Sequence, residues 1–277
     1  MGIVTETPAA PAVHDLDEDP GAGIDAAAAA IAEGRCIVVP TDTVYGIAAD
    51  AFSGDAVRGL LAAKQRGEDM PPPVLIAERS MLRALTADIP RDAMALARNF
   101  WPGALTLILK AQKTLNLELG ETGGTVAVRV PDHDELRRLL RRTGPLAVSS
   151  ANISGKPAAN TVTEAQEMLG DAVALYLDGG ESAGQVASTI VDFTKSTRGK
   201  VLRNGAIPFE ELKLTAPRLQ PFEEPEPEEP QLEQPATDEA IEPGPAEAGP
   251  AELDAPEAPG PSGEADAPDV GEKPTDA

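Results

Sequence analysis

The sequence predicts one α/β or α+β domain built around a mixed β-sheet. Short apolar stretches typical of buried strands are mixed with helical stretches, without the strict strand–helix–strand rhythm of a doubly wound parallel sheet. Three late strand-like stretches, 173–180, 187–194 and 200–206, follow one another with gaps of only turn length. This pattern argues for a mixed sheet and against a doubly wound parallel one.

Helices are predicted from residue type, spacing and end signals. In the stretch 55–67, Val57, Leu60 and Leu61 recur at i, i+3 and i+4, which indicates one buried face, and Gly67 is expected to end the helix. The other helical stretches combine good helix formers with a polar residue near the start or a glycine at the end. In chain order, the predicted helices are 24–33, 55–67, 79–89, 90–101, 132–144, 161–171 and 208–214.

Strands are predicted from short runs of apolar and β-branched residues that end in turn-forming residues. The first, 35–39, is followed by Pro40, which cannot donate a hydrogen bond to a neighbouring strand and so favours the end of regular pairing. In chain order, the predicted strands are 35–39, 47–52, 74–77, 104–111, 125–131, 145–152, 173–180, 187–194 and 200–206.

Charge divides the chain into three parts. The formal net charge is −23, yet residues 26–220 hold 22 acidic and 22 basic side chains. Residues 221–277 hold eighteen acidic residues, one lysine and thirteen prolines, a composition too polar and charged to bury a core. We therefore expect a disordered arm at 1–20, a folded domain at 21–215 and a disordered acidic tail at 216–277. The tail is interpreted as a solvating appendage, with an acidic interaction segment as the alternative.

Several classes of protein do not fit the sequence. The first residues carry no basic segment followed by a long apolar one, and the alanine-rich stretch 24–34 is too short to cross a bilayer. Cys36 is the only cysteine, which fits a reducing cytoplasm and gives no disulfide framework. The only histidines are His14 and His133, so a Ser-His-Asp triad or a histidine-based metal site is disfavoured. The common glycine-rich phosphate loops are also missing.

Polar residues lie at or beside the ends of several predicted strands, where open sheets bind ligands. Lys64 and Arg66 could bind an anion, or could simply interact with the C-terminal dipole of their helix. Thr41 and Thr43 are candidates for ligand contacts or for plain strand-edge hydroxyls. The turn 149–155 is either an ordinary Ser/Asn turn or a set of hydroxyl and amide donors around a ligand. Arg203 is most simply interpreted as a solvated turn residue.

Taken together, the polar segments and their flanks resemble the YrdC/Sua5 family of threonylcarbamoyl-AMP synthases. The resemblance covers roughly residues 20–210 and includes a K-x-R signature at 64–66 and an S-x-N signature at 150–152. In order, the segments are "VVPTDTVYGIAADA", "AAKQRGEDMPPPVLI", "FWPGALTLIL", "TVAVRVPDH", "AVSSANISGKPAANT", "ASTIVDFT" and "VLRNGAI". The resemblance implies a twisted mixed sheet flanked by helices around a concave cavity.

The resemblance also implies an activity and its residues. L-Threonine, bicarbonate and ATP, with Mg²⁺ bound to the ATP, would give threonylcarbamoyl-AMP and pyrophosphate, for t6A modification at position 37 of ANN-decoding tRNAs. No side chain of the chain is expected to bind a metal itself. The implied ATP contacts are Lys64, Arg66, Thr125, Asn152, Asn160 and Arg203, of which Lys64 and Arg66 would also be catalytic. The implied threonine contacts are Thr43, Arg129, Ser150 and Ser188, or Thr189 in place of Ser188.

The expected partners follow from the same resemblance. The product would pass to a tRNA threonylcarbamoyl-transferase complex, RNA binding would be weak, and the protein would be cytoplasmic with no membrane association. An RNA-binding module and a diverged YciO-type enzyme are the alternatives. The sequence departs from the family at Met70-Pro71-Pro72-Pro73, where many members have Lys or Asn followed by Pro-Leu, and at Leu75, where some have histidine. The resemblance therefore gives no support for a polar nucleotide contact near position 70.

Overall fold

Ten strands form one mixed sheet in the computed structural model, which describes residues 10–223. Their order across the sheet is β1-β8-β2-β3-β7-β4-β6-β5-β9-β10. Parallel and antiparallel pairs both occur, for example β5 with β9 and β5 with β6, which confirms the predicted mixed sheet. In chain order the strands are β1 (Ala12–Asp15), β2 (Ile37–Val39), β3 (Gly46–Asp50), β4 (Val74–Leu75), β5 (Leu105–Lys110), β6 (Thr125–Arg129), β7 (Leu146–Ser150), β8 (Leu175–Asp178), β9 (Thr189–Asp192) and β10 (Lys200–Arg203).

Helices cover the sheet, and their ends carry the capping residues that the sequence provides. The side chain of Ser53 accepts from the Ala56 N–H at the start of α2, and Thr161 does the same for Glu164 at the start of α6. The helices are α1 (Pro20–Ala32), α2 (Gly54–Ala63), α3 (Leu82–Leu85), α4 (Arg91–Phe100), α5 (Asp134–Thr143), α6 (Val162–Leu169) and α7 (Phe209–Thr215).

The two faces of the sheet have different coverings. Successive side chains of a strand point to opposite faces, so Leu105, Leu107 and Leu109 of β5 enter a large core that also contains buried residues of α2, α4, α6 and α7. The opposite face is packed by α1 and α5 over β2, β3 and β7. On this second face, Thr106 and Ile108 of β5 line a cavity instead. The alternation within β5 therefore places the Thr106 hydroxyl on the cavity side of the sheet and the three leucines on the other side.

Two predicted helices differ from the observed ones. The stretch 55–67 leaves the helix after Ala63, because Gln65 adopts a positive φ of 53° and the Arg66 N–H bonds to the Leu61 carbonyl. This turn, rather than Gly67, ends α2, and it directs the chain toward β7. The stretch 79–89 forms a 3₁₀ turn at Arg79–Met81 and the short helix α3 rather than one continuous helix.

The ends of the folded region also differ from the prediction. Residues 12–15, including His14, form edge strand β1 beside β8, so the expected disorder of the arm 1–20 is wrong there. After α7, Leu219 is buried and Gln220 pairs with Lys200, so ordered structure continues past residue 215. Main-chain pairing at the sheet edge gives both segments partners that their composition does not indicate. The remainder of the predicted arm and tail, 1–9 and 224–277, lies outside the described residues, and the domain boundaries stay predictions.

Between residues 10 and 223, no helix combines the length and the apolar character needed to cross a membrane.

Candidate active site

A cavity of about 280 Å³ lies over the middle strands of the sheet. Arginines at positions 66, 129 and 203 lie in its wall, together with several threonines and serines. No Asp or Glu is found among the described residues of that wall. Because like charges converge there without lining carboxylates, the cavity is suited to an anionic ligand. The polar and charged wall residues are Thr41, Thr43, Tyr45, Arg66, Thr106, Arg129, Ser149, Ser150, Ser188 and Arg203.

Arg129, at the end of β6, is held by three acceptors. Its Nη2 lies 2.6 Å from Asp42 Oδ1, its Nη1 donates to Thr43 Oγ1 at 2.9 Å, and its Nε donates to the Gly103 carbonyl at 3.0 Å. The Arg129 and Asp42 side chains are only 7% and 13% exposed. A guanidinium carries five N–H groups, so two N–H groups remain for a ligand while the side chain is fixed in place.

Thr41 and Thr43 belong to the turn between β2 and β3. Their hydroxyl oxygens are 3.0 Å apart, and the Thr41 hydroxyl donates to the Val44 carbonyl at 2.7 Å. Both side chains are buried and both line the cavity. Thr43 therefore lies on the cavity side of the turn, as its predicted role requires. The Tyr45 hydroxyl donates instead to the Gly180 carbonyl at 2.6 Å, which ties this turn to the segment after β8.

Arg66 enters the cavity from the turn after α2. Its Nη1 donates to Ser149 Oγ at 3.2 Å, and its Nε is buried with no hydrogen-bond partner among the described residues. Burial is the main cause that lowers the pKa of Arg66. An N–H group that is buried and unpaired in the free protein costs free energy, so a ligand that accepted from it would remove that cost.

Arg203, at the end of β10, is attached to Ser188. Its Nε and Nη2 donate to the Ser188 carbonyl at 3.0 and 2.8 Å, and Ser188 Oγ lies 2.8 Å from Thr106 Oγ1. Partial burial, and then the charges of Arg129 and Arg66, lower the pKa of Arg203. All three guanidinium groups belong to residues of the same cavity wall, so each positive charge disfavours the others.

Lys64 is buried beside the cavity rather than in its wall. Its Nζ donates to the carbonyl oxygens of Ser150 and Asn152 and, at 3.3 Å, to Asn152 Oδ1. Burial, and then the charge of Arg66, lower the pKa of Lys64 to about 8, so the ammonium group is protonated at pH 7. Its three N–H donors match these three acceptors. In the free protein Lys64 therefore joins the end of α2 to the turn after β7.

The remaining predicted residues are placed unevenly. Ser150 and Ser188 are in the cavity wall, whereas Thr125, Asn152 and Asn160 are not. Thr125 donates to the Thr122 carbonyl, and the Asn152 amide donates to the carbonyls of Ile153 and Lys156. Asn160 Oδ1 is buried and has no partner among the described residues. Any contact of these three side chains with a ligand lies beyond the cavity wall and stays a prediction.

Sequence reasoning missed Thr106 and Asp42 as parts of the site, and it included Ser149 only within the candidate turn 149–155. Thr106 and Ser149 lie within buried strands, where a hydroxyl is most simply interpreted as a core residue. Alternation along β5, which puts Thr106 on the face opposite to three leucines, is the one signal that could have indicated it. The pairing of Asp42 with Arg129 joins residues 87 positions apart, and no local pattern reports it.

Two glycines allow segments of backbone to approach closely at the cavity. A Cβ at Gly184 would lie 2.5 Å from the Asp42 carbonyl oxygen and 3.0 Å from Thr43 Cα, and one at Gly205 would lie 2.4 Å from the Ala187 carbonyl oxygen. Such distances are shorter than van der Waals contact, and a glycine avoids them by having no side chain. The turn that carries Asp42 and Thr43 is therefore packed directly against the segment that leads to Ser188.

Gly184→Ala is expected to lower the free energy of unfolding by about 1–3 kcal/mol, because the new methyl group meets backbone atoms that cannot rotate away. Gly59→Ala is the matched control. Gly59 lies inside helix α2, and a Cβ there would meet only Cys36 Sγ, at 3.6 Å. Gly59→Ala should therefore raise the free energy of unfolding by about 0.5–1 kcal/mol. Urea denaturation of both variants measures the effect. Equal stability of Gly184→Ala and the unmodified protein would contradict the close packing.

Comparisons with known proteins agree on one family. Residues 29–205 match the family model Sua5_yciO_yrdC, which is described as telomere recombination. A Mycobacterium leprae protein is 50% identical over 185 residues, which are 67% of this chain and 84% of that one. The threonylcarbamoyl-AMP synthase of Bacillus subtilis is 40% identical over 190 residues, which are 68% of this chain and 54% of that one. The crystal structure of Pyrococcus abyssi Sua5 complexed with L-threonine has a TM-score of 0.70 and 34% identity, with 76% of this chain and 62% of that chain covered.

Proposed function

The chain belongs to the Sua5/YciO/YrdC family, and we propose that it is an L-threonylcarbamoyl-AMP synthase. It condenses L-threonine, bicarbonate and ATP into threonylcarbamoyl-AMP, pyrophosphate and water, for the t6A modification of tRNA. The observation that carries the proposal is a cavity with three arginines, several hydroxyl groups and no lining carboxylate among the described residues. Such a wall suits a polyphosphate and a hydroxylated amino acid together.

The residues need only bind and orient the reactants, since the chemistry requires no covalent bond to the protein. The amine of threonine and bicarbonate give a carbamate with loss of water, and a carbamate oxygen attacks the α-phosphorus of ATP. The bond to the β,γ-pyrophosphate breaks, and pyrophosphate leaves. Cations around the phosphates offset the negative charge that develops on the transferred group and on the leaving group.

Arg66 and Arg203 are proposed to bind the phosphates. The unpaired Arg66 Nε supports this role, because a phosphate oxygen would give it a partner. Lys64 is proposed to act from beside the cavity. In the free protein its ammonium is bonded to main-chain oxygens after β7, so a direct contact with ATP requires it to give up one of those bonds. Thr125, Asn152 and Asn160 are proposed to contact the rest of the nucleotide.

Arg129 is proposed to bind the carboxylate of threonine with its two uncommitted N–H groups. Thr43, Ser150 and Ser188 are proposed to surround the rest of the amino acid. Asp42 supports the role of Arg129, because the ion pair between them fixes the guanidinium before the substrate arrives.

Mg²⁺ is proposed to enter with ATP. The cavity wall offers guanidinium and hydroxyl groups, with no carboxylate among its described residues, so phosphate oxygens and water would be the ligands of the ion. Further proposals are a cytoplasmic location, a tRNA threonylcarbamoyl-transferase complex that accepts the labile product, and at most weak RNA binding.

The direct test is pyrophosphate release by the purified full chain with ATP, Mg²⁺, bicarbonate and L-threonine, with the adenylate identified by mass spectrometry. Release that depends on both bicarbonate and threonine is the expected result. Release that persists without either substrate, or no release at all, would refute the proposal.

The pH dependence should report Lys64. Because its pKa is lowered to about 8, the side chain loses its positive charge as the pH rises through that value. We expect kcat/KM for ATP to fall above about pH 8, since this parameter follows the protonation of the free enzyme. In Lys64→Arg the side chain at position 64 stays positively charged, so the fall of kcat/KM should move to higher pH, whatever the absolute rate of the variant. A fall at the same pH in Lys64→Arg would assign the pH dependence to another group.

A further inference from the structure

We infer that Thr41 is a positioning residue that holds the Thr43 hydroxyl as a hydrogen-bond acceptor toward the cavity, where it binds the hydroxyl group of the amino-acid substrate. The inference rests on the proposed function and adds a direction to one of its contacts. It follows from counting the protons that the two threonines share.

The proton of Thr41 is committed to the main chain. A hydroxyl has one proton to donate, and a carbonyl oxygen can only accept. Thr41 Oγ1 lies 2.7 Å from the Val44 carbonyl oxygen, the shortest of its contacts. It also accepts from the Thr43 N–H at 3.0 Å and, in the longest of its contacts, from the Val44 N–H at 3.3 Å. Thr41 therefore has no proton left for Thr43.

The proton of Thr43 is committed in turn. The two hydroxyl oxygens are 3.0 Å apart, closer than the Val44 nitrogen is to Thr41 Oγ1 at 3.3 Å. With the Thr41 proton on Val44, Thr43 is the donor between them. Thr43 Oγ1 also accepts from Arg129 Nη1 at 2.9 Å, and a guanidinium can only donate. One lone pair of Thr43 then remains, and Thr43 lies in the cavity wall. A ligand can bond to it only by donating a proton.

Two donors are present on the amino acid, its ammonium and its hydroxyl. The guanidinium of Arg129 is in contact with Thr43, and its positive charge disfavours a second cation at the same oxygen. A neutral hydroxyl meets no such repulsion. The same wall therefore binds the substrate carboxylate through Arg129 and the substrate hydroxyl through Thr43, which selects for an amino acid with both groups.

The test measures binding of L-threonine and L-valine to the full chain by calorimetry, without ATP. L-Valine has the shape of L-threonine but no hydroxyl, and the unmodified protein should prefer L-threonine at least about 100-fold. Thr41→Val removes the acceptor that fixes the direction of the Thr43 hydroxyl and should reduce that preference about tenfold, whereas Thr41→Ser keeps the acceptor and should keep the preference. Thr86→Val is the control and should leave the preference unchanged. Thr86 is also buried and donates to a carbonyl, that of Leu82, but it does not line the cavity.

A folded Thr41→Val variant that keeps the full preference would overturn the inference. If Thr41→Val does not fold, O-methyl-L-threonine and the unmodified protein decide, because the ether oxygen of this ligand accepts but cannot donate. Binding as weak as that of L-valine supports an acceptor at Thr43, and binding as tight as that of L-threonine overturns it. No binding of L-threonine by the unmodified protein would refute the proposed function itself, and the inference with it. Loss of preference in Thr41→Val alone, with L-threonine bound normally by the unmodified protein, supports the inference.

Discussion

Replacing Arg129 by methionine is expected to abolish threonine-dependent pyrophosphate release and to lower the free energy of unfolding by about 3–5 kcal/mol. The substitution leaves the Asp42 carboxylate, which is 13% exposed, without its ion-pair partner. It also removes the donors to Thr43 Oγ1 and to the Gly103 carbonyl. Binding of L-threonine and chemical denaturation, measured on the same preparation, separate the two effects.

Two controls define the Arg129 experiment. Arg58 forms an ion pair with Asp55 on the exposed face of α2, so Arg58→Met should change stability by no more than about 1 kcal/mol. Adding Asp42→Asn to Arg129→Met removes the buried unpaired charge and should recover part of the stability but none of the threonine binding. If Arg129→Met alone were as stable as the unmodified protein, the ion pair between Asp42 and Arg129 would not stabilise the fold. Unchanged threonine binding would show that Arg129 does not contact the substrate.

Replacing Arg66 by alanine is expected to lower turnover about 10²–10³-fold, as the loss of one group that stabilises developing charge does in other enzymes, while stability changes little. Arg66 has a single side-chain hydrogen bond, to Ser149 at 3.2 Å, and its Nε has no partner among the described residues. The side chain therefore contributes little to the free protein that its removal could destabilise. Steady-state kinetics with varied ATP and a thermal melt measure the two quantities.

The matched control for Arg66 is Arg198→Ala, which removes an exposed arginine outside the cavity wall. Arg198→Ala should leave turnover and melting temperature unchanged. It removes one positive charge from the protein, as Arg66→Ala does, and so tests separately whether the loss of charge alone matters. Full activity of Arg66→Ala would refute a phosphate contact. A large fall in its melting temperature would assign Arg66 to the fold instead of the reaction.

Much of the fold was predictable because it depends on local patterns. Each of the seven predicted helices overlaps an observed helix, and each of the nine predicted strands overlaps an observed strand. Period-2 alternation in β5 and capping side chains at α2 and α6 are properties of neighbouring residues. Strand β1 was not predicted, because Ala12–Asp15 is mostly exposed and is ordered by pairing with β8, which lies more than 150 residues along the chain.

The site was predictable in composition but not in arrangement. Thr43, Arg66, Arg129, Ser150, Ser188 and Arg203 were all named from the sequence, and all six line one cavity. Lys64 was named as a phosphate contact, yet its ammonium is bonded to main-chain oxygens 86 and 88 residues away. The orientation of such a side chain depends on the acceptors that the tertiary structure brings to it, and these do not appear in the flanking sequence.

By itself, the sequence determined the family, the mixed sheet and most of the polar and charged residues around the cavity, because motif order, burial pattern and turn chemistry are properties of the chain itself. The tertiary structure alone decided how those residues are connected. It paired Asp42 with Arg129, joined Lys64 to the turn after β7, and brought the hydroxyl oxygens of Thr41 and Thr43 to within 3.0 Å. The physical reason is that a hydrogen bond requires a donor–acceptor distance within a few tenths of an ångström and a suitable angle. Between residues that are far apart in sequence, this distance and this angle are fixed only when the strands are in register.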